Sequence, residues 1–284
     1  MAERVEIVEV GPRDGLQNQA RLIPTSRKVA LVDVLSAAGF RRIEAASFVS
    51  PRWVPQMADG AEVLAGIARR PGTRYMGLVP NFRGYGAARA ALVDEVAVVT
   101  AATEGFARAN LNCTVAESLD RLRPVLEVAR QDDLSIRGYV SVVTDCPYGG
   151  KVEPGAVARI VAALRELGCR EVSLGETLGR GTPERVDRML DAVLEELPPH
   201  RLAGHFHDTS GRALENLEVA LGRGLRVFDA SIGGLGGCPF APGAAGNVAT
   251  ETMAARLRAL GFETGLDGAA LERAATLARS LRED

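Results

Sequence analysis

The chain has 284 residues, of which 46% are hydrophobic and 25% are charged, and its formal net charge is −2. This is the composition of a globular protein that can bury a sizeable core. So small a net charge gives no reason to expect a nucleic acid or a membrane as partner, and an anionic ligand would need arginines placed locally.

The lack of recognisable targeting signals and the spacing of the cysteines favour a reducing compartment. No run of about 18 uninterrupted apolar residues is present, as a membrane span would require. The opening segment MAERVEIVEV lacks the anatomy of a signal peptide, and the final SLRED is not a retention or peroxisomal signal. No CxxC pair occurs among the four cysteines, which argues against a disulfide framework and a zinc site. We therefore expect a cytoplasmic protein with reduced thiols.

Short apolar or β-branched runs alternate with longer segments of helical periodicity along the whole chain. The runs predict eight strands, over residues 5–11, 41–48, 74–80, 95–101, 136–142, 171–177, 202–208 and 227–233. Intervening segments such as SRKVALVDVLSAAGF and VARIVAALRELGC repeat apolar residues every three or four positions, and glycines follow them as C-caps. Eight such units predict a single-domain (β/α)8 TIM barrel. The alternative, a doubly wound sheet, would carry a GxGxxG loop after the first strand, and EVGPRDGLQN has none.

The segment GHFHDTSG, at the end of the seventh predicted strand, holds two of the three histidines. His205 and His207 are two residues apart, so on a strand their side chains point to one face. In a barrel, chemistry collects at the carboxyl ends of the strands, which favours a metal or catalytic site over a satisfied core histidine. Asp208 alternates to the other face, and we expect it to anchor the strand end or a neighbouring histidine.

Two further residues can complete a metal site. Asp14 follows the first strand, and in a closed barrel only the eighth strand lies between the first strand and the seventh. Without that argument, Asp14 can be interpreted as a turn residue before a glycine. Asn247 follows the eighth strand and could add a carbonyl ligand or act as an N-cap. Because the four side chains Asp14, His205, His207 and Asn247 include no thiolate, they favour Mg²⁺ or Mn²⁺ over structural zinc.

Arg13 and Glu44 form a second candidate group. Arg13 precedes Asp14 and would point the opposite way on a regular strand, but beside a metal it could stabilise negative charge on a carbonyl oxygen. Glu44 lies mid-strand among apolar residues, where a carboxylate needs a partner, and Arg13 is the nearest candidate.

Cys238 differs from Cys113, Cys146 and Cys169, which we interpret as structural. It lies in the glycine-rich segment GGLGGCPFAPGAAGN, residues 233–247, after the last strand. Such a segment is typical of a lid over a barrel mouth, and a thiol with a pKa of about 8.5 is protonated at neutral pH and can donate a proton.

These residues, in this order, resemble the 3-hydroxy-3-methylglutaryl-CoA lyase family. The resemblance covers nearly the whole chain, with VEVGPRDGLQN, IEAASFVSPRWVPQMAD, CPYGGK, HFHDTSGRALEN and GGLGGCPFAPGAAGN as its main motifs. It implies a divalent-metal-dependent cleavage of an acyl-CoA substrate to acetyl-CoA and acetoacetate, as in leucine breakdown and ketone-body formation. The implied metal ligands are Asp14, His205, His207 and Asn247.

The resemblance also implies catalytic roles. Asp14 or His205 is the base that takes the hydroxyl proton, Arg13 stabilises the enolate, and Cys238 returns a proton to it. Glu44 matches a glutamate of the family's active site.

Four residues depart from the family pattern: Glu176 in place of aspartate, Thr103 in place of serine, and Thr144 and Asp145 in place of small or apolar residues. They follow the fourth, fifth and sixth strands, so they bear on the acyl group more than on the reaction type. A longer or differently substituted 3-hydroxyacyl-CoA stays open as the substrate.

Two other functions remain. A Claisen-type condensing enzyme, such as an isopropylmalate or citramalate synthase, would use the same metal ligands, but the Cys238 segment and the lack of a regulatory domain after residue 284 argue against it. A non-catalytic CoA-thioester binder is the third hypothesis. The sequence leaves open whether the chain forms a homo-oligomer.

Overall fold

A computed structural model describes residues 2–238 and 241–283, without the side chains of residues 237, 238, 241–245 and 283. The described strands are β1 (Glu6–Glu9), β2 (Arg42–Ser47), β3 (Arg74–Leu78), β4 (Glu95–Ala101), β5 (Ser135–Ser141), β6 (Asp145–Cys146), β7 (Gly150–Lys151), β8 (Glu171–Glu176), β9 (Leu202–Phe206), β10 (Val227–Ala230), β11 (Gly237–Cys238) and β12 (Ala241–Ala245).

Eight of these strands close into a parallel barrel in the order β1-β10-β9-β8-β5-β4-β3-β2. They coincide with the eight runs predicted from the sequence, so the predicted (β/α)8 barrel is confirmed. The largest difference is at the carboxyl end of the eighth barrel strand, which stops at Ala230, three residues before the predicted end. The other four strands form two small antiparallel hairpins, β6–β7 and β11–β12, in the segments that follow β5 and β10.

Helices connect the barrel strands and pack around them. The α-helices are α1 (Thr25–Ala37), α2 (Gly60–Gly66), α3 (Phe82–Ala90), α4 (Glu104–Phe106), α5 (Val115–Gln131), α6 (Pro154–Leu167), α7 (Pro183–Leu194), α8 (Ala213–Gly222), α9 (Thr250–Ala259) and α10 (Gly268–Glu283). Within the described part of the chain, no helix has both the length and the apolar character that a membrane crossing demands.

The two faces of a barrel strand have different surroundings, as β8 shows: one face packs against the helices and the other lines the barrel interior. Val172 and Leu174 are completely buried and belong to the core between the barrel and its helices. Ser173, between them, points into the barrel and donates a hydrogen bond to Asp229. This alternation explains why polar residues occur inside otherwise apolar strands: they line the barrel interior.

The structure describes the side chains of three cysteines. Cys113, Cys146 and Cys169 are buried and free. Burial raises the pKa of Cys169 to about 12, so its thiol stays protonated at neutral pH.

Candidate active site

A π-helical turn, Gly11–Gly15, places the first two site residues. After β1 the backbone N–H groups of Arg13 and Asp14 both donate to the carbonyl of Val10, at 3.2 and 2.7 Å. The turn abolishes strand alternation, so Arg13 Nη1 lies 2.7 Å from Asp14 Oδ1 instead of pointing away. The two side chains were expected to diverge on a regular strand unless a turn intervened, and the structure shows that the turn does intervene.

The predicted convergence of an aspartate and two histidines is observed. His205 lies in β9, His207 follows it in an isolated bridge to Asn247, and the two imidazole rings are 5.3 Å apart between centroids. Asp14, His205 and His207 each offer one ligand atom, and these atoms all lie within 4.8 Å of one another. β9 and β1 are separated only by β10, so barrel closure brings the three side chains together.

Asn247 faces this cluster. Its Nδ2 donates a hydrogen bond to Asp14 Oδ2 at 2.8 Å. The N-cap of α9 is Ala249, without a side-chain cap, so of the two predicted roles for Asn247 the N-cap was wrong.

Arg13 and Glu44 pair as predicted. Arg13 Nε donates to Glu44 Oε2 at 2.8 Å, and Nη2 lies 2.6 Å from the same oxygen. Glu44 is completely buried on β2, and the guanidinium also lies 5.8 Å from the centroid of the Tyr139 ring. A guanidinium held from two sides cannot rotate freely, so its position beside Asp14 is fixed.

Charge and burial set the protonation states of the cluster. Burial alone would raise the pKa of Asp14, but the charges of Arg13 and the two histidines lower it to about 2. Burial, and then repulsion by His205, lowers the pKa of His207 to about 4. At neutral pH the site therefore holds a carboxylate and a neutral imidazole, the forms in which both side chains bind metal ions.

Sequence reasoning missed four buried polar residues around the site: Glu9, Arg137, Tyr139 and Asp229. Asp229 makes a polar contact with the cluster, with Oδ2 at 3.2 Å from His205 Nδ1, and the Tyr139 ring lies edge-on to the His205 ring at 6.4 Å between centroids. The charged residues among these four could have been found from the sequence by the pattern that singled out Glu44, a charged residue inside an apolar strand. The same signal is present for Asp229 in VFDASIG and for Arg137 in IRGYVSV.

Asp208 and the four departing residues lie outside the cluster. Asp208 Oδ1 accepts a hydrogen bond from the Ala213 amide at the start of α8, so it anchors the strand end and not a histidine. Two departures contact each other: Thr144 Oγ1 donates to Glu176 Oε1 at 3.1 Å, and both are buried. Asp145 pairs with Arg185, and the Thr103 hydroxyl donates to the Cys146 sulfur.

The glycine-rich segment passes close to the cluster at Gly236, next to Asn247. Gly236 has φ +109°, and a Cβ there would lie 2.9 Å from the Asn247 amide nitrogen, so only glycine fits. The backbone of Cys238 is in β11, but its side chain lies outside the described residues, and its role as proton donor stays a prediction. The lid function of residues 233–247 also stays a prediction.

The fold and the site together define a (β/α)8 barrel with a candidate divalent-metal centre at the carboxyl ends of its strands. Residues 4–278 match the family model HMGL-like. The chain therefore belongs to the HMGL-like family.

Relatives and solved structures agree with this membership. A Pseudomonas aeruginosa protein named 3-hydroxy-3-isohexenylglutaryl-CoA/hydroxy-methylglutaryl-CoA lyase is 53% identical over 271 residues, 95% of this chain and 90% of that protein. The HMG-CoA lyase of Brucella melitensis superimposes with a TM-score of 0.99 at 60% identity, covering 100% of both chains. An HMG-CoA lyase from Acinetobacter baumannii, in complex with coenzyme A and 3-methylmalate, has a TM-score of 0.93 at 38% identity and covers 99% of this chain and 92% of that one.

Proposed function

We propose that this protein is a divalent-metal-dependent carbon–carbon lyase. It cleaves 3-hydroxy-3-methylglutaryl-CoA, or a closely related 3-hydroxyacyl-CoA, to acetyl-CoA and acetoacetate or the related keto acid. The observation that carries this proposal is the cluster of Asp14, His205 and His207, with Arg13 locked beside it by Glu44. The lyase names of the relatives support cleavage over the condensing alternative.

The residues present fit Mg²⁺ or Mn²⁺. Among the described residues, the buried Nδ1 of His207 has no hydrogen-bond partner, which is costly unless the imidazole binds another group. A carboxylate, two imidazoles and an amide oxygen suit these ions. Asp14, His205, His207 and Asn247 would hold the ion, which when bound supplies Lewis acidity towards substrate oxygens.

The reaction begins with removal of a proton from the substrate's tertiary hydroxyl. Asp229 occupies Nδ1 of His205, and Nε2 would face the ion, so no nitrogen of that ring is left to accept a proton. Asp14 is then the remaining candidate base: it is ionised at neutral pH, and its low pKa makes it a weak one.

The electron pair of the hydroxyl oxygen forms the ketone carbonyl while the bond between the carbinol carbon and the thioester's methylene carbon breaks. The bonding pair of that carbon becomes the enolate of acetyl-CoA. Arg13, charged and fixed by Glu44, stabilises the developing negative charge. Transfer of the Cys238 thiol proton to the methylene carbon yields acetyl-CoA, with the keto acid as the second product. The base then releases its proton to solvent, and the thiolate takes up a proton from solvent.

The substrate class follows from the relatives' names. One relative's name carries two acyl groups, a methylglutaryl and an isohexenylglutaryl, and a neighbour binds coenzyme A, so an acyl-CoA is the proposed ligand class. A role in leucine breakdown and ketone-body formation, and a cytoplasmic location, stay predictions.

A direct assay tests the function. Protein stripped with chelator and reloaded with Mg²⁺ or Mn²⁺ is incubated with a panel of 3-hydroxyacyl-CoA thioesters, and acetyl-CoA release is followed chromatographically. We expect stoichiometric acetyl-CoA and keto acid, dependent on the added ion, with His200→Ala active and His207→Ala inactive. His200 is the matched control because it is exposed in the turn Pro199–Arg201, at the opposite end of β9. Absence of acetyl-CoA from every thioester would refute the proposal.

A further inference from the structure

Asp229 lies beside His205 inside the barrel but takes no part in the proposed reaction. The two are register partners on the adjacent strands β10 and β9, and Asp229 Oδ2 is 3.2 Å from His205 Nδ1. We propose that the pair Arg137–Asp229 is a positioning pair that fixes the tautomer of His205, so that its Nε2 presents a lone pair to the cluster. This inference rests on the proposed metal site.

The contacts of Asp229 determine which ring nitrogen carries the proton. Its Oδ1 lies 2.7 Å from Arg137 Nη2, and its Oδ2 also accepts a hydrogen bond from Ser173 Oγ at 2.8 Å. A carboxylate paired with a guanidinium only accepts hydrogen bonds, so His205 must donate from Nδ1. An imidazole that donates from Nδ1 and is neutral has its lone pair on Nε2, the nitrogen left for a metal ion.

Arg137 is itself held in place by contacts with Glu171 and Tyr139. It is completely buried, its Nε donates to Glu171 Oε1 at 2.7 Å, and its Nη1 donates to Tyr139 Oη at 3.0 Å. Arg42 Nη1 bonds the same oxygen of Glu171 at 2.8 Å. The guanidinium therefore cannot leave Asp229 without breaking several buried contacts, and the orientation of the carboxylate under His205 is rigid.

The alternative is that Arg137–Asp229 only stabilises the barrel. Asp229→Asn separates the two roles, because its amide keeps the side chain's size but can donate to Nδ1 and so favour the opposite tautomer. We expect Mn²⁺ affinity, measured by calorimetry without substrate, to fall about 10- to 100-fold. Ser173→Ala is the matched control: it removes a contact to the same carboxylate oxygen and should leave Mn²⁺ affinity unchanged. Equal affinities of Asp229→Asn and the parent would overturn the proposal.

A spectroscopic measurement on the parent protein covers the case in which Asp229→Asn does not fold. With ¹⁵N-labelled histidine, metal-free protein at mildly alkaline pH gives signals from only three imidazoles, assigned with His200→Ala and His207→Ala. We expect the His205 signals to show a proton on Nδ1 and a bare Nε2. A bare Nδ1 would overturn the proposal. Neither readout needs turnover, so loss of the lyase function with intact Mn²⁺ binding would refute only the proposed function.

Discussion

The side-chain amide of Asn247 donates a hydrogen bond of 2.8 Å to Oδ2 of Asp14, across 233 residues of chain. The other carboxylate oxygen, Oδ1, is held by Arg13 at 2.7 Å. Because the loops after the first and last barrel strands grip one carboxylate from two sides, Asp14 is oriented before any ligand arrives. Such preorganisation reduces the cost of reordering the site during binding and reaction.

Removal of a histidine ligand should abolish tight metal binding. In His207→Ala the cluster keeps Asp14 and His205 only, so we expect Mn²⁺ affinity to fall more than about 100-fold, beyond the usual effect of residues that merely support a ligand. Calorimetric titration of chelator-treated protein measures this, with His200→Ala as the unchanged control. Parent-like binding by His207→Ala would place the ion elsewhere.

Cys238→Ser should separate binding from chemistry. A hydroxyl is a far weaker acid than a thiol, so we expect cleavage to slow by about 10²- to 10⁴-fold while Mn²⁺ affinity stays unchanged. Steady-state rates of acetyl-CoA release measure the loss, and Cys113→Ala serves as the cysteine control. Equal rates in Cys238→Ser and the parent would remove this thiol from the mechanism.

Arg13→Lys keeps the charge but loses the planar fork that contacts Glu44 and Asp14 together. A lysine ammonium cannot bridge both carboxylates in the same way, so we expect kcat to fall about 100-fold or more. KM and Mn²⁺ affinity should change much less. The exposed substitution Arg170→Lys is the control, and an unchanged kcat in Arg13→Lys would show that a point charge suffices.

Gly236→Ala tests the close approach of the glycine-rich segment to the site. A Cβ would lie 2.9 Å from Asn247 Nδ2 at a backbone φ of +109°, so we expect a loss of about 1–3 kcal/mol in stability and a lower kcat. Urea unfolding and acetyl-CoA release measure the two effects. Gly86→Ala, in α3 with open space around its Cβ, should be neutral or slightly stabilising. Parent-like behaviour of Gly236→Ala would show that the segment adjusts freely.

Glu9 should make the stability of the fold depend on pH. Its oxygens accept hydrogen bonds from the Gly11 and Ile232 amides and the Thr250 hydroxyl. Burial nevertheless raises its pKa from 4.5 to about 8. The native state therefore binds a proton that the unfolded chain has lost, so the contribution of Glu9 to stability is full below pH 4.5 and is lost as the pH rises towards 8.

Glu9→Gln has no such proton to lose. As the pH rises between these two values, we expect the free energy of unfolding of Glu9→Gln to increase by a few kcal/mol relative to that of the parent. Urea titrations with chelator present measure this difference. The exposed substitution Glu166→Gln should follow the parent. Parallel pH profiles for the parent and Glu9→Gln would mean that Glu9 is already ionised in the native state.

Much of the barrel and part of the site can be read from the chain itself. Short apolar runs between helical segments show where the strands occur, because a barrel strand is buried on both faces. All eight barrel strands were predicted within a few residues of their observed ends. The spacing of His205 and His207 determines that they share a face, since side chains on a strand repeat every two residues. The lone carboxylate of Glu44 in an apolar strand likewise predicts a buried partner.

The tertiary structure decided which groups meet across strands. The Asp229–His205 contact depends on the register between β10 and β9, and local periodicity carries no information about that register. The orientation of Arg13 beside Asp14 depends on a π-helical turn that ends strand alternation, and the Asn247–Asp14 hydrogen bond depends on barrel closure. Periodicity is a property of neighbouring residues, whereas register, closure and burial are properties of the whole fold.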